Sequence, residues 1–115
     1  MILDQKIVKK GTFIMPKTIT LFCSAGMSTS LLVNKMKEAA AAQGKDYIIA
    51  AYSLNEVDQY GPLADVILIG PQVRFALAKL KAQFPDKPID SIDMRMYGLM
   101  DGKGALAVAQ KYLGE

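Results

Sequence analysis

The spacing of hydrophobic positions changes several times along the chain, and these changes divide it into alternating strands and helices. Short runs rich in β-branched and apolar residues predict strands. The run from Asp65 to Ile69 is apolar after its first residue, which is typical of a strand buried on both faces of a parallel sheet. We predict four strands in all, at Thr18–Cys23, Tyr47–Tyr52, Asp65–Ile69 and Ile89–Ile92.

Between the strands, apolar residues recur at the three- and four-residue spacing of a helix. Gly44 is placed to end the first helix and Asp101 to cap the last one. Strands that alternate with helices predict one α/β domain, a parallel sheet with helices on both faces, whose ligand sites lie at the carboxyl ends of the strands. We predict helices at Leu31–Gln43, Leu54–Tyr60, Val73–Phe84 and after Asp101.

The first residues differ from the rest of the chain in charge. Residues 1–17 carry four lysines against one aspartate, whereas the remainder has ten basic and ten acidic residues. We therefore expect residues 1–15 to be an N-terminal extension, disordered or added by cloning or an upstream start codon, and residues 16–115 to form the domain. Because the positive charge lies on this extension and not on the folded body, nucleic-acid binding is not expected.

Composition narrows the possible chemistry further. The chain has 51% hydrophobic residues, enough for a core, but no apolar run approaches the roughly 20 residues that span a bilayer. It contains one cysteine and no histidine, so an internal disulfide, a Cys/His zinc site and a Ser-His or Cys-His pair are excluded. A single thiol suits the reducing cytoplasm, where we place the protein.

The loop after the first strand carries the candidate chemistry. Residues 24–30 are small or hydroxyl-bearing apart from Met27, and they join a strand end to a helix start, where backbone N–H groups and the helix dipole favour an anion. The same positive field favours the thiolate of Cys23 over the thiol. We predict Cys23 as the nucleophile and a phosphate nest of Ser24, Ala25, Gly26, Met27, Ser28, Thr29 and Ser30.

Other interpretations of this loop stay open from the residues alone. Cys23 could be an inert core residue, and the loop a simple cap and turn. Cysteine phosphatases place an arginine after five intervening residues, but Thr29 stands at that position, so the bidentate clamp on the transition state is missing. A flavin- or anion-binding module also uses phosphate loops of this kind.

Three motifs resemble the enzyme IIB proteins of the bacterial sugar phosphotransferase system, in the lactose/cellobiose branch that includes chitobiose and lichenan. They are Phe22–Val33, Leu68–Arg74 and Tyr97–Gly102, and the resemblance covers about Pro16 to Leu113. It implies a four-stranded parallel sheet in which the first strand is flanked by the second and third, an order of 2-1-3-4. Phe75 departs from the pattern, since a tyrosine is expected after the arginine.

The resemblance also implies the activity and its partners. Cys23 is expected to accept a phosphoryl group from a phosphohistidine of enzyme IIA and to pass it to a sugar bound by the membrane-embedded enzyme IIC. The sugar is expected to be a β-glucoside disaccharide such as cellobiose or chitobiose, and no metal or organic cofactor is expected.

Four further residues belong near the same edge of the sheet. Gln72 and Arg74 follow the third strand, and we predict that they attract the phosphoryl group or contact enzyme IIA. Arg95 and Tyr97 lie after the fourth strand and are candidates for docking or simply for the surface.

Overall fold

In the computed structural model of the protein, the backbone is described for residues 7–9, 12–14, 16–24 and 27–115, and side chains for residues 16–24 and 29–115. The first two strands, β1 (Ile7–Lys9) and β2 (Thr12–Ile14), pair antiparallel with Val8 opposite Phe13. This hairpin was not predicted. Part of the predicted N-terminal extension, residues 1–15, lies outside the described residues. That these residues form an extension stays a prediction.

The main sheet has four parallel strands in the order β4-β3-β5-β6, which confirms the predicted order of 2-1-3-4. Its apolar, β-branched segments form β3 (Thr18–Cys23), β4 (Ile48–Ser53), β5 (Val66–Ile69) and β6 (Ile89–Ser91). Each lies within one residue of its predicted bounds. Because β3 pairs on both sides, its last residue lies in the middle of the carboxyl edge.

Five helices accompany the sheet, together with short 3-10 turns. Among the described residues, no helix is both long and apolar enough to cross a bilayer. The helices are α1 (Met27–Ala42), α2 (Val57–Tyr60), α3 (Leu77–Gln83), α4 (Met94–Gly98) and α5 (Gly102–Leu113).

The core has two layers, one on each face of the sheet. Successive side chains of a strand point to opposite faces, so Leu21 and Leu68 contribute to one layer while Phe22 and Ile69 contribute to the other. The first layer is closed by α1 and α5, and the second includes Val57 of α2 and Leu80 of α3. Helices therefore cover both faces, as predicted for an α/β sheet.

Several helix boundaries differ from those predicted. The first helix begins at Met27, four residues before the predicted Leu31, so residues 27–30 belong to the helix and not to the loop. The predicted helix Val73–Phe84 is a 3-10 segment, Pro71–Ala76, followed by α3, with a kink at Val73 (φ −116°, ψ 24°). The capping predictions hold: Asp101 accepts from the Gly104 N–H at 2.8 Å, and Gly44 has a φ of +69°.

Candidate functional site

Cys23 ends the central strand. It pairs in register with Ser53, the last residue of β4, and its neighbour Phe22 pairs with Ile69 near the end of β5. Only 4% of the Cys23 surface is exposed. The chain's one cysteine therefore lies at the carboxyl edge of a parallel sheet, where such folds place their ligands. It has β4 on one side and Gly70, just after β5, on the other.

The N-terminus of α1 lies close behind Cys23 along the chain, since only residues 24–26 separate the strand from the helix. The first N–H groups of a helix have no acceptor within it, and the helix dipole adds positive potential there. Met27, Ser28, Thr29 and Ser30, predicted as loop residues, form the first turn of this helix. Ser24 is exposed, whereas Ala25, Gly26 and the side chains of Met27 and Ser28 lie outside the described residues.

Thr29 differs from its hydroxyl-bearing neighbours because its side chain is fully buried, while Ser24 and Ser30 are exposed. Its Oγ1 atom has no hydrogen-bond partner within the described part of the chain. A buried hydroxyl without a partner costs about 1–3 kcal/mol. The structure thus holds a polar atom in the first turn of α1 at an energetic cost.

The end of β5 closes the other side of Cys23. The Gly70 N–H donates to the carbonyl of Phe22 at 2.9 Å, which fixes the turn after β5 beside the end of β3. A Cβ atom placed on Gly70 would lie 3.4 Å from the Cβ of Cys23 and 3.3 Å from Oε1 of Gln72. Cys23 and the side chain of Gln72 therefore both border the space above Gly70.

Arg74 lies farther along the same edge, beyond the kink at Val73. Its side chain is exposed and lines a cleft of about 330 Å³ together with residues at the end of β6 and the start of α4. The remaining lining residues are Pro71, Ser91, Ile92, Asp93 and Met94. The structure thus brings Gln72 to Cys23 and places Arg74 in the cleft over β6.

Arg95 and Tyr97, which the sequence places in a loop, belong to the short helix α4. Asp93 caps this helix by accepting from the Met96 N–H at 2.7 Å. Tyr97 packs against the core layer beneath α1 and α5, whereas Arg95 is exposed. A capping aspartate before residues 94–98 was the signal for α4, but five residues are too few for hydrophobic periodicity to reveal a helix.

Tyr52 of β4 precedes the partner of Cys23 by one residue, so its side chain packs with Phe22 on the other face of the sheet. Its ring stacks on that of Tyr60, with centroids 3.7 Å apart and planes 3° from parallel. Burial raises the pKa of Tyr52, and the neighbouring Tyr60 and Glu56 raise it further. This shift in pKa therefore belongs to the core layer around Phe22 and not to the face that carries Cys23.

Residues 18–108 match the family described as the PTS system, lactose/cellobiose-specific IIB subunit. The chain is 46% identical over 104 residues to a galactose-specific EIIB component of Lactococcus lactis subsp. cremoris and equally to a cellobiose-specific EIIB component of Lactococcus lactis subsp. lactis, covering 84% of this chain and 96% of each relative. An oligo-beta-mannoside-specific EIIB component of Bacillus subtilis is 44% identical over 77% of this chain and 88% of that protein.

Solved structures agree with the fold. The solution structure of the cellobiose-specific IIB component of Borrelia burgdorferi matches with a TM-score of 0.71 and 31% identity, over 84% of this chain and 91% of the other. The lactose-specific IIB domain of Streptococcus pneumoniae matches with a TM-score of 0.73 over 84% and 97% of the two chains. At 20% identity, that second match supports the shared fold alone.

Proposed function

The chain belongs to the lactose/cellobiose-specific IIB subunits of the sugar phosphotransferase system, and from this membership we propose that Cys23 is the residue that carries the phosphoryl group. Subunits of this family act as phosphotransferases in sugar uptake. The observation that carries the proposal is the position of Cys23, at the carboxyl end of the central strand and separated by residues 24–26 from the N-terminus of a 16-residue helix.

Two transfers make up the proposed cycle. The Cys23 thiolate attacks the phosphorus of a phosphohistidine on enzyme IIA; an S–P bond forms, the N–P bond breaks, and the imidazole nitrogen leaves with the electron pair. A hydroxyl oxygen of the sugar held by enzyme IIC then attacks the same phosphorus. An O–P bond forms, the S–P bond breaks, the hydroxyl proton passes to a base, and the thiolate is restored.

The phosphoryl oxygens are stabilised by the start of α1 in this proposal. The backbone N–H groups of residues 25–30 donate to them, and the helix dipole lowers the energy of the dianion. The hydroxyl of Thr29, buried without a partner among the described residues, supports this assignment, because an anion at the helix N-terminus would supply an acceptor. Position 29 holds no guanidinium to clamp a hydrolytic transition state, which favours retention of the phosphoryl group over phosphatase chemistry.

The sugar itself is proposed only as a class. Relatives named for galactose and for cellobiose share the same 46% identity with this chain, and the oligo-beta-mannoside relative follows at 44%. We therefore propose a β-linked disaccharide such as cellobiose or chitobiose. In this scheme the sugar is selected by enzyme IIC, and this chain contacts it only through the phosphoryl group.

The decisive experiment compares the wild-type protein with Cys23→Ser after incubation with phosphoenolpyruvate and the upstream phosphotransferase proteins. Intact mass should increase by one phosphoryl group in the wild type and not in the variant. A serine hydroxyl gives up its proton far less readily than a thiol, so the variant should fold but fail to relay phosphate.

The chemistry of the label provides the control. A phosphorus–sulfur bond should survive acid that releases phosphohistidine, and iodine should cleave it. An equal melting temperature for both proteins would show that the substitution leaves the fold intact. Label on another residue, or sugar phosphorylation by Cys23→Ser at the normal rate, would refute the assignment of Cys23.

A further inference from the structure

Gln72 is an exposed residue, yet its side chain turns back toward the buried edge of the sheet. Its Oε1 atom lies 3.3 Å from the position a Cβ would take on Gly70, and the Cβ of Cys23 lies 3.4 Å from the same position. Gly70 is buried and has an ordinary extended backbone, with φ of −66° and ψ of 153°. The backbone angles of Gly70 are thus open to any residue, and the space above its Cα atom is bordered by both Cys23 and Gln72.

The backbone around Gln72 is held in place on both sides. Pro71, the residue before Gln72, has a backbone restricted by its ring. After Gln72, the Val73 N–H donates to the Gly70 carbonyl at 3.1 Å and closes a tight turn. The Val73 side chain is 2% exposed and anchored in the core layer that contains Phe22. Because the backbone is anchored, the position of the carboxamide near Cys23 is set by the fold.

A carboxamide can serve an anion at this position. Rotation of the terminal bond by a half-turn exchanges the oxygen for the NH₂ group, so an acceptor facing Cys23 in the absence of an anion becomes a donor in its presence. We propose that Gln72 is a further phosphoryl-binding residue, which donates Nε2–H to an oxygen of the phosphoryl group on Cys23. This inference rests on the proposed function and deepens it.

The neutrality of this donor suits a carrier. A guanidinium at the same place would offset one of the two negative charges and hold the phosphoryl group through two hydrogen bonds. One neutral donor stabilises the group moderately and lets it leave to the next acceptor. The exposed side chain of Arg74 lines the cleft at the end of β6 instead. Gln72 thus completes the side of the site opposite the helix N-terminus.

The test measures the equilibrium of phosphoryl transfer between the phosphorylated donor protein and this chain, read from the phosphorylated fraction by intact mass. Gln72→Met keeps the length of the side chain and removes the donor. It should shift the equilibrium toward the donor protein by about 10- to 100-fold, as expected for one hydrogen bond to a charged group. Gln72→Glu places a carboxylate beside the dianion and should shift it further.

Gln59 provides matched controls, because it is an exposed glutamine of α2. Gln59→Met and Gln59→Glu make the same changes in side chain and charge, and they should leave the equilibrium within about twofold of wild type, as expected for surface substitutions. The ³¹P chemical shift of phosphocysteine should move in Gln72→Met and not in Gln59→Met. Because Gln72 is exposed, Gln72→Met and the wild type should have equal melting temperatures. That result would exclude a general loss of structure.

Gly70→Ala tests the same contact from the other side. The new methyl group would contact Oε1 of Gln72 at 3.3 Å and displace the carboxamide slightly. The variant should therefore shift the equilibrium in the same direction as Gln72→Met but by less, and the double variant should be no worse than Gln72→Met alone. A Gln72→Met equilibrium equal to that of the Gln59→Met control, with label on Cys23, would overturn the inference while leaving the proposed function intact. Absence of label from the wild type would instead remove both.

Discussion

At the scale of single residues, Thr29 shows how a site can be maintained against stability. Its hydroxyl is fully buried and has no hydrogen-bond partner in the described part of the chain. A methyl group in its place would pack in the same volume without the cost of desolvation. The presence of a hydroxyl here is explained if the group receives its partner only when an anion occupies the helix N-terminus.

Thr29→Val should therefore separate stability from activity. We expect the free energy of unfolding to rise by about 1 kcal/mol or more, because a buried polar atom without a partner is removed. The phosphorylated fraction should fall under the same conditions. Urea denaturation and intact mass measure the two effects.

Thr20→Val is the matched control for phosphorylation. Thr20 is also a buried threonine, but it lies three residues before Cys23 in β3 and points to the opposite face of the sheet. The phosphorylated fraction should not change in this variant.

Loss of stability in Thr29→Val would contradict the interpretation that the hydroxyl is unsatisfied.

At the scale of elements, the close approach of α1 and α5 depends on Gly102. A Cβ atom at this position would lie 2.3 Å from the carbonyl carbon of Lys35 and 2.5 Å from its oxygen. These are backbone atoms of α1 and cannot move aside as a side chain could. Since Leu32 and Leu106 fill the core layer between these helices and the sheet, separating the helices would open that layer.

Gly102→Ala should consequently destabilise the protein by about 3 kcal/mol, at the upper end of the usual cost of overpacking. Thermal unfolding is the measurement, and a decrease in melting temperature of more than about 10 °C is expected for a domain of this size. Gly98→Ala in α4 is the control, because a Cβ atom at this position would meet none of the described atoms within 4 Å. Similar melting temperatures for the two variants would show that α1 can shift at little cost.

The elements also show what could be predicted from the sequence. Strands β3 and β5 were predictable because their apolar runs are dense and well bounded. The start of α1 was not, since Met27 to Ser30 carry no hydrophobic period and looked like a loop. The kink at Val73 and the short helix α4 arise from local turns and capping, which periodicity does not record.

The same limit applies to the site. The position of Cys23 at the end of a strand and just before a helix was predictable from the residue types, and its role stays a prediction. The sequence named Gln72 and Arg74 together, but only the three-dimensional structure separates them, since their placement depends on the turn after Gly70 and the kink at Val73. Cys23 and Gln72 both border the space above Gly70. A single sequence contains no pattern from which this proximity could be predicted.

At the scale of the whole molecule, the raised pKa values of three tyrosines, Tyr47, Tyr52 and Tyr112, tie stability to alkaline pH, and the first two are raised mainly by burial. Burial raises the pKa of Tyr47, and the hydrogen bond that its hydroxyl donates to Glu115 raises it further. The pKa of Tyr52 is raised mainly by burial. In both cases the unfolded chain, with an ordinary tyrosine pKa of about 10, loses its protons at lower pH than the folded protein does.

The free energy of unfolding should therefore fall as the pH rises above about 10, because the folded state binds more protons in that range. Urea denaturation at a series of pH values measures the slope. Tyr47→Phe and Tyr52→Phe should each make the slope shallower, and the double variant shallower still. A double variant with the wild-type slope would show that other groups determine the alkaline dependence.

The central position of β3 has a consequence for biosynthesis. Ile19 pairs with Ile49 on one side and with Val66 on the other, so the strand emerges from the ribosome long before its second neighbour exists. Pairings so distant in sequence form late, because the intervening chain must first be ordered. The segment that ends in the thiol is made early but acquires its final surroundings only after most of the polypeptide has been synthesised, so a nascent chain that ends before β5 lacks one of the two partners of β3.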